Sequence, residues 1–285
     1  LILDFILLNL STIMVTMFIL KKKYFFIIES IKDIDLKNIK NFGKFSIIYR
    51  NKIPENIKKL RIFRLDCKSK KIPLLIEKPI AINSLEAFQI VKKSEETNTP
   101  VLIGQHRRHN NIAKKGKKII SDGMIGEVRS IQATCWFYKP DHYFNSAPWR
   151  KQKGAGPIYV NLIHDIDLLR YFCGDVKSVF ANGVPSKRGY ENEDVASILL
   201  KFENDITATL SVSDSIVSPW SWEMTSKEHP IYHPVDNSCY LIGGSKGSLS
   251  LPDLSIWKHE NQPDWWTPIN RNSLSHDYID PLVAQ

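Results

Sequence analysis

The chain has 285 residues, of which 43% are hydrophobic and 11% aromatic, enough for one large globular domain or two ordinary ones. Lys and Arg number 39 against 30 Asp and Glu, and a net charge of +9 can point to nucleic acid or an acidic membrane. The basic residues are scattered, so we expect solvated surface and no nucleic-acid partner. Four widely spaced cysteines without a Cys-x-x-Cys pair argue against structural zinc and favour a reducing, cytoplasmic compartment.

The N-terminal 20 residues are mostly apolar and precede three lysines, so by length they could span a bilayer. Polar residues inside the segment weaken this interpretation, and a secretory signal would carry its positive charge first. These polar residues are Asp4, Asn9, Ser11 and Thr12. We therefore expect no membrane association and keep a membrane-tethered protein as an alternative.

A strand, a helix and a second strand are predicted between residues 74 and 104. Leu74 to Ile76 is a short apolar run that ends at Glu77-Lys78-Pro79 and predicts a buried strand. The next segment predicts an amphipathic helix with Ser84 as N-cap, and residues 100–104 predict a second buried strand. The apolar positions of this helix are Leu85, Phe88, Ile90 and Val91. The three elements together indicate a βαβ unit with parallel strands.

The second half of the chain predicts helices packed on a mostly antiparallel sheet. A helical segment ends at Gly123, and an alternating strand begins at Val128. Two later alternating runs turn back on themselves at residues 203–205 and 245–247, as hairpins do. The predicted fold is α/β + α+β: an incomplete, Rossmann-like parallel α/β domain over residues 1–108, then an α+β domain with a large, mostly antiparallel sheet over residues 109–285.

The most informative stretch is GAGPIYVNLIHDIDLLRYFCG, residues 154–174, in which polar side chains interrupt an apolar helix. Leu162, Ile166 and Leu169 are spaced to pack on the sheet. His164 and Asp167 are three positions apart and therefore share a helix face. An imidazole and a carboxylate can both hold or move protons, so this face is a candidate site.

Four short segments together resemble the Gfo/Idh/MocA family of NAD(P)-dependent oxidoreductases. They are Glu77-Lys78-Pro79, GQHRRHN at residues 104–110, PWRKQKGAGPIYVNLIHDIDLLRYFCG at residues 148–174, and NEDVASILLKFEN at residues 192–204. Each is a weak match by itself, but they occur in the family's order and at its spacing over residues 66–285. The resemblance implies hydride transfer between NAD or NADP and a hydroxyl-bearing carbon of a small polyol, sugar or hydroxy acid.

The resemblance also implies roles for individual residues. Lys78 and His164 would be catalytic, because this reaction needs a group that takes the hydroxyl proton and a donor that steadies the oxygen. The substrate-binding residues would be Asp167, Asn161 and Arg108. The residues at the cofactor would be Glu77, Lys78, Pro79, Trp149 and Arg150. The competing interpretations are a surface Lys78, a His164 satisfied within the core, and an Asp167 paired with an arginine such as Arg170.

Two features depart from the family pattern. Val160, one turn before His164, stands where many members of the family carry an aspartate, and Asn161 offers an amide but no charge. Gly43 is the one glycine among the first hundred residues, so the family's Gly-x-Gly-x-x-Gly phosphate turn is missing. Either the nucleotide half is degenerate or replaced, or, as we favour, the reading frame is wrong or truncated upstream of about Asp66. The alternative function is a non-catalytic relic or binding module that has lost its nucleotide site.

The segment 218–240 is rich in aromatic residues and histidines. His229 and His233 are four residues apart, but Pro230 and Pro234 break the helix that would align them on a metal ion, so we expect no metal site. We expect the aromatic residues to pack within the protein or against another subunit, and part of the segment to face substrate as the alternative. The resemblance implies a homo-oligomer formed through the C-terminal sheet, with a small molecule as substrate.

Overall fold

The computed structural model describes residues 15–20, 23–28, 45–49, 74–81 and 83–275. The chain divides into two compact units, Leu1–Ile103 and Gly104–Gln285. The predictions about the N-terminal apolar segment, the phosphate turn and the reading frame fall largely outside the described residues. Within those residues, no helix has both the length and the apolar character needed to cross a membrane.

The described part of the first unit contains two small sheets. Strands β1 (Val15–Leu20) and β2 (Lys23–Ile28) are antiparallel, and β3 (Phe45–Tyr49) is parallel to β2.

The second of these sheets is the βαβ unit that the sequence predicts. Strands β4 (Leu74–Ile76) and β5 (Val101–Ile103) are parallel, and helix α1 (Ser84–Thr97) connects them. Glu77-Lys78-Pro79 follows directly at the carboxyl end of β4, with a cis peptide bond between Lys78 and Pro79.

Helix α1 departs from the prediction at its N-cap and along its apolar face. The N-cap is Asn83, whose side chain accepts a hydrogen bond from Glu86 N at 2.9 Å, so Ser84 is already helical. Asn83 has the extended backbone that a cap needs, and asparagine caps as well as serine does. Of the predicted apolar positions Ile90 is buried, whereas Leu85, Phe88 and Val91 are exposed.

The second unit is built on one eight-stranded sheet. Its strands are β6 (Val128–Trp136), β7 (Val176–Pro185), β8 (Glu193–Phe202), β9 (Thr207–Ser213), β10 (Tyr240–Gly244), β11 (Ser248–Leu251), β12 (Ser255–Lys258) and β13 (Asn270–Ser273). Their order across the sheet is β13-β12-β11-β10-β6-β9-β8-β7. Neighbours are antiparallel except for β6 and β9, which confirms the mostly antiparallel sheet and both predicted hairpins.

The helical elements of the second unit are short apart from two. They are a 3₁₀ helix (His106–His109), α2 (Asn111–Ser121), α3 (Asp141–Asn145), a second 3₁₀ helix (Pro148–Lys151), a π-helical turn (Ile158–Leu162), α4 (Ile163–Cys173) and α5 (Trp222–Thr225).

One hydrophobic core joins α2 and α4 to one face of the sheet. Leu162 and Leu169 are fully buried in this core and Ile166 packs at its edge, as the helix spacing predicts. Each fully buried leucine contributes about 1.5–3 kcal/mol to stability. Along β6, Ile131 faces the core and Gln132 the opposite side, so the sheet has a second face that the described helices of this unit do not cover.

Candidate active site

The turn that contains Gly154 and Gly156, just before the helix that carries His164, is held by Glu193 of β8. Ile158 N donates a hydrogen bond to Glu193 Oε1 at 3.1 Å, which places a carboxylate at the end of the helix where the dipole stabilises negative charge. A Cβ atom on Gly156 would lie 2.2 Å from that oxygen, so any larger residue here would have to displace the Glu193 carboxylate. This turn and the segment NEDVASILLKFEN at residues 192–204 are separate motifs in the sequence. The contact with Glu193 joins them into one structural unit.

The helix opens with the π turn at residues 158–162 and continues as α4. Single π turns occur inside helices and are frequent at functional sites. The π turn and α4 bury four polar side chains, those of Asn161, His164, Asp165 and Asp167. Buried polar groups need hydrogen-bond partners, and each of the four has a different set.

His164 is held by Gln105, the residue before the first 3₁₀ helix. The His164 Nδ1 to Gln105 Oε1 distance is 3.1 Å, and the His106 ring packs edge-on with its centroid 4.8 Å from that of His164. An amide oxygen can only accept, so Nδ1 carries the hydrogen, and Nε2 is the nitrogen able to take up a proton. Gln105 thus selects the tautomer that a general base requires.

Asp167 and Arg108, both predicted to bind substrate, bind each other. Arg108 Nε donates to Asp167 Oδ2 at 2.9 Å and an Nη2 hydrogen bond reaches the other oxygen, which makes the pair bidentate. This hydrogen bond raises the pKa of Arg108 against the opposing effect of its partial burial. Arg170, which the sequence offered as a partner for Asp167, pairs with Asp175 instead.

Arg107, the neighbouring arginine, is 3% exposed and lies at the centre of a buried ionic cluster. Its Nη1 donates to Asp165 Oδ1 at 3.1 Å, and its Nη2 donates to Glu223 Oε1 at 2.5 Å. Tyr240 of β10 also donates its hydroxyl hydrogen to Asp165. The cluster fastens the first 3₁₀ helix, α4 and α5 to the sheet.

The two carboxylates of this cluster differ in electrostatic environment. Burial raises the pKa of Asp165, although Arg107 acts in the opposite direction. Burial also opposes ionisation of Glu223, but the nearby Arg107 charge and the hydrogen bond from Asn161 outweigh it and lower the pKa of Glu223. Glu223 therefore favours its ionised form more strongly than Asp165 does.

Asn161 lies against the same carboxylate. Its Nδ2 donates to Glu223 Oε1 at 3.1 Å, whereas its own Oδ1 and Glu223 Oε2 are buried without a hydrogen-bond partner. The Glu223 carboxylate thus lies next to Asn161. This is one residue along the helix from Val160, which replaces the family's aspartate.

Trp149 and Arg150 form part of the second 3₁₀ helix. The Arg150 guanidinium lies 4.0 Å from the centre of the Tyr143 ring and donates to Tyr143 O and Ser146 Oγ, both at 2.7 Å. The Trp149 side chain is 47% exposed. Arg150 therefore packs on α3, and its predicted cofactor contact stays a prediction.

Much of the second unit is similar to a known protein domain. Residues 113–250 match the family model described as GFO/IDH/MocA C-terminal domain. Residues 113–250 are therefore similar to the C-terminal domain of this family. The resemblance inferred from the four sequence segments is thereby confirmed.

Two curated relatives are similar to parts of the chain. D-apiose dehydrogenase of Rhizobium rhizogenes is 28% identical over 50% of this chain and 41% of its own length. 2,7-Anhydro-N-acetylneuraminate hydratase of Escherichia coli is 26% identical over 61% of this chain and 44% of its own length. The chain thus spans less than half the length of these relatives.

A solved structure confirms the predicted fold class. An oxidoreductase from Agrobacterium radiobacter, in complex with NAD+, L-tartaric acid and magnesium, is similar with a TM-score of 0.61 at 19% identity, over 87% of this chain and 69% of that one. At this identity the likeness shows the fold alone.

Several residues around the candidate site were not singled out from the sequence: Gln105, Arg107, Asp165, Glu223 and Lys139. The segments GQHRRHN and HDID contain three of these residues, Gln105, Arg107 and Asp165. Neither segment indicates which side chains lie in contact. Lys139, in the connection between β6 and α3, is 4% exposed, and its Nζ lies 4.0 Å from Asp214 Oδ2. Burial lowers the pKa of Lys139, and Asp214 counteracts this only in part.

Among residues 83–275 and the shorter described stretches, no three His, Cys, Asp or Glu side chains are grouped to hold a metal ion. Lys78, Glu77 and Pro79 belong to the first unit, where all three are partly buried at the carboxyl end of β4. Their roles stay predictions.

Proposed function

We propose that the chain belongs to an NAD(P)-dependent oxidoreductase that transfers a hydride between nicotinamide and a hydroxyl-bearing carbon of a small polyol, sugar or hydroxy acid. The observation that carries the proposal is the buried His164, held in a single tautomer by Gln105 within a GFO/IDH/MocA C-terminal domain. The curated relative named D-apiose dehydrogenase supports the reaction class.

In this mechanism His164 Nε2 removes the proton of the substrate hydroxyl, while Gln105 keeps the imidazole in the accepting tautomer. The resemblance assigns Lys78, in the first unit, the role of a donor that stabilises negative charge as it develops on a substrate oxygen. Bound nicotinamide would supply the acceptor or donor of the hydride.

The described residues fit the nicotinamide end of such a cofactor. The carboxyl ends of parallel strands are where dinucleotides bind in α/β sheets, and Glu77-Lys78-Pro79 lies at the carboxyl end of β4. The resemblance assigns these three residues to the cofactor, and it assigns Trp149 and Arg150 of the second unit to the cofactor as well. The sequence contains no glycine-rich turn before Gly104 to hold the pyrophosphate, which favours the alternative of a relic or binding module.

Titration of the purified chain with NADH and NADPH, followed by tryptophan fluorescence, tests the proposal, because seven tryptophans supply the signal. We expect saturable binding, followed by cofactor turnover with a polyol or sugar panel that Lys78→Ala abolishes. Lys92→Ala, on α1 of the same unit, is the matched control. Absence of binding and turnover at about 1 mM cofactor would refute the proposal for this chain. It would favour the alternative, a non-catalytic relic or binding module.

A homo-oligomer through the C-terminal sheet and a reducing, cytoplasmic location complete the proposal. The face of the sheet that the helices leave uncovered supports the first. The second is supported by Cys135, Cys173 and Cys239, which are free buried thiols.

A further inference from the structure

A second imidazole, that of His106, lies against His164. The two ring centroids are 4.8 Å apart at an interplanar angle of 66°, so the rings meet edge to face. The His106 side chain is 24% exposed, whereas His164 is buried. A proton on His106 is therefore partly hydrated and a proton on His164 is not, and a charged group is favoured where it is hydrated.

Glu228 faces His106 with one of its carboxylate oxygens. His106 Nε2 lies 3.4 Å from Glu228 Oε1. The other oxygen, Oε2, accepts hydrogen bonds from Trp222 Nε1 and, at 3.3 Å, from Asn110 Nδ2. Burial opposes ionisation of Glu228, but the hydrogen bond with His106 and the Arg107 charge outweigh it and lower the pKa of Glu228. Glu228 is therefore an anion held in place beside His106.

Other charged groups near the two imidazoles are paired with each other or neutral. The pairs are Arg107–Asp165, Arg107–Glu223 and Arg108–Asp167. Burial and the charges of Lys114 and Arg108 lower the pKa of His109, at the end of the same 3₁₀ helix, so His109 is neutral around neutral pH. The contact between His106 and Glu228 differs from the arginine pairs, because an imidazole gains or loses its charge in this pH range and a guanidinium does not.

We propose that His106 and Glu228 form an ion pair that keeps His164 neutral around neutral pH. The Glu228 anion favours a proton on His106, and the resulting imidazolium disfavours a further proton on His164, since like charges in contact repel each other. A neutral His164 retains the Nε2 lone pair with which a base removes a hydroxyl proton. His106 is then a positioning residue that acts through His164. This inference rests on the proposed function, because it concerns the base of the same site.

Side-chain ¹⁵N chemical shifts of the histidines, followed in the full chain from about pH 5 to pH 9, test the ion pair without cofactor or substrate. His106→Phe keeps an aromatic ring against His164 but leaves Glu228 uncompensated, so we expect the titration midpoint of His164 to rise by about 0.5–1.5 pH units. His106→Gln, which keeps a hydrogen-bond donor for Glu228 and loses the charge, should raise it similarly. His142→Phe, at an exposed position of α3, is the control and should leave the midpoint unchanged.

The double variant His106→Phe/Glu228→Gln separates charge from packing. It removes both members of the ion pair, so we expect about half or more of the rise caused by His106→Phe to disappear. A rise that persists in full in the double variant would overturn the ion pair. An unchanged His164 midpoint in both single His106 variants would do the same and leave His106 as a packing residue.

Failure of the ion pair and failure of the proposed function give different results. Unchanged midpoints in the His106 variants remove the ion pair, whether or not NADH or NADPH binds. Absence of cofactor binding and turnover refutes the proposed function, whereas a His164 midpoint that rises in His106→Phe and falls back in the double variant still establishes the ion pair.

Discussion

Gln105 and His164 are joined by a 3.1 Å hydrogen bond that links the start of the first 3₁₀ helix to the first turn of α4. Because an amide oxygen accepts only, the bond fixes the hydrogen on Nδ1 of His164. Gln105→Leu removes the acceptor, and we expect His164 to become a mixture of tautomers. Imidazole ¹⁵N chemical shifts measure this directly, with no need for a substrate.

The exposed His229 provides the internal reference, since its shifts should not respond to Gln105→Leu. A wild-type His164 protonated on Nε2 instead of Nδ1 would remove the structural basis for its role as a base.

The adjacent arginines 107 and 108 should differ sharply in their effect on stability. The side chain of Arg107 is 4% exposed between Asp165 and Glu223, so Arg107→Met leaves one buried and one largely buried carboxylate without their counter-ion and costs about 3–5 kcal/mol of unfolding free energy. Arg108 is 36% exposed and pairs with a single carboxylate, Asp167, so Arg108→Met costs less, about 1–3 kcal/mol. Urea denaturation of both variants measures the difference. Equal losses of unfolding free energy would show that the buried cluster stabilises the fold no more than the partly exposed pair.

Local patterns in the sequence predicted the elements of the fold but not the contacts of the site. The hairpins at residues 203–205 and 245–247 and the packing of α4 follow from alternation and helical spacing. Arg107, by contrast, reaches Asp165 across 58 residues and Glu223 across 116, and no local period carries that information. The sequence predicted Ser84 as the N-cap of α1, whereas its neighbour Asn83 is the N-cap in the structure. Both are good capping residues, so the local sequence does not distinguish them.

Gly156 and Glu193 should be coupled energetically. Gly156→Ala puts a methyl group against the Glu193 carboxylate and disturbs the hydrogen bond to Ile158 N, so we expect a loss of about 1–3 kcal/mol. Gly154→Ala meets no atom within 4 Å and costs only the strain of its φ of +84°, about 1 kcal/mol.

A double-mutant cycle with Glu193→Ala distinguishes the two glycines. The loss caused by Gly156→Ala should shrink when Glu193 is absent, whereas that of Gly154→Ala should simply add. Additive losses at both positions would mean that Glu193 does not restrict residue 156.

Glu228 should contribute to the loss of stability in acid. Its burial opposes ionisation, but the hydrogen bond to His106 and the Arg107 charge outweigh this, and the pKa of Glu228 is lowered. Below the ordinary glutamate pKa of about 4.3 the unfolded chain therefore binds more protons here than the folded chain. The stability due to Glu228 is complete above that pH and is lost as the pH falls through the lowered pKa.

Urea denaturation between pH 6 and pH 3 measures this term as the difference between wild type and Glu228→Gln. The variant should lose less stability across the acid window, because glutamine does not titrate. Asp122→Asn, an exposed pair with Lys118, serves as the control and should follow the wild-type slope. A Glu228→Gln slope as steep as that of wild type would assign the acid sensitivity to other carboxyl groups.

The uncovered face of the C-terminal sheet should mediate self-association. Leu241 of β10 is 55% exposed on this face, beside a pocket of about 970 Å³ that Trp136, Trp220 and Trp257 help to line. Exposed apolar groups of this kind on a sheet face are typical of protein contacts. We expect light scattering to give a dimer or larger species for the wild type and a monomer for Leu241→Arg, because the guanidinium cannot be buried unpaired in an apolar contact. Val217→Arg, at an exposed residue in the connection after β9, controls for added charge. A monomeric wild type would remove the oligomer from the proposal while leaving the His164 site intact.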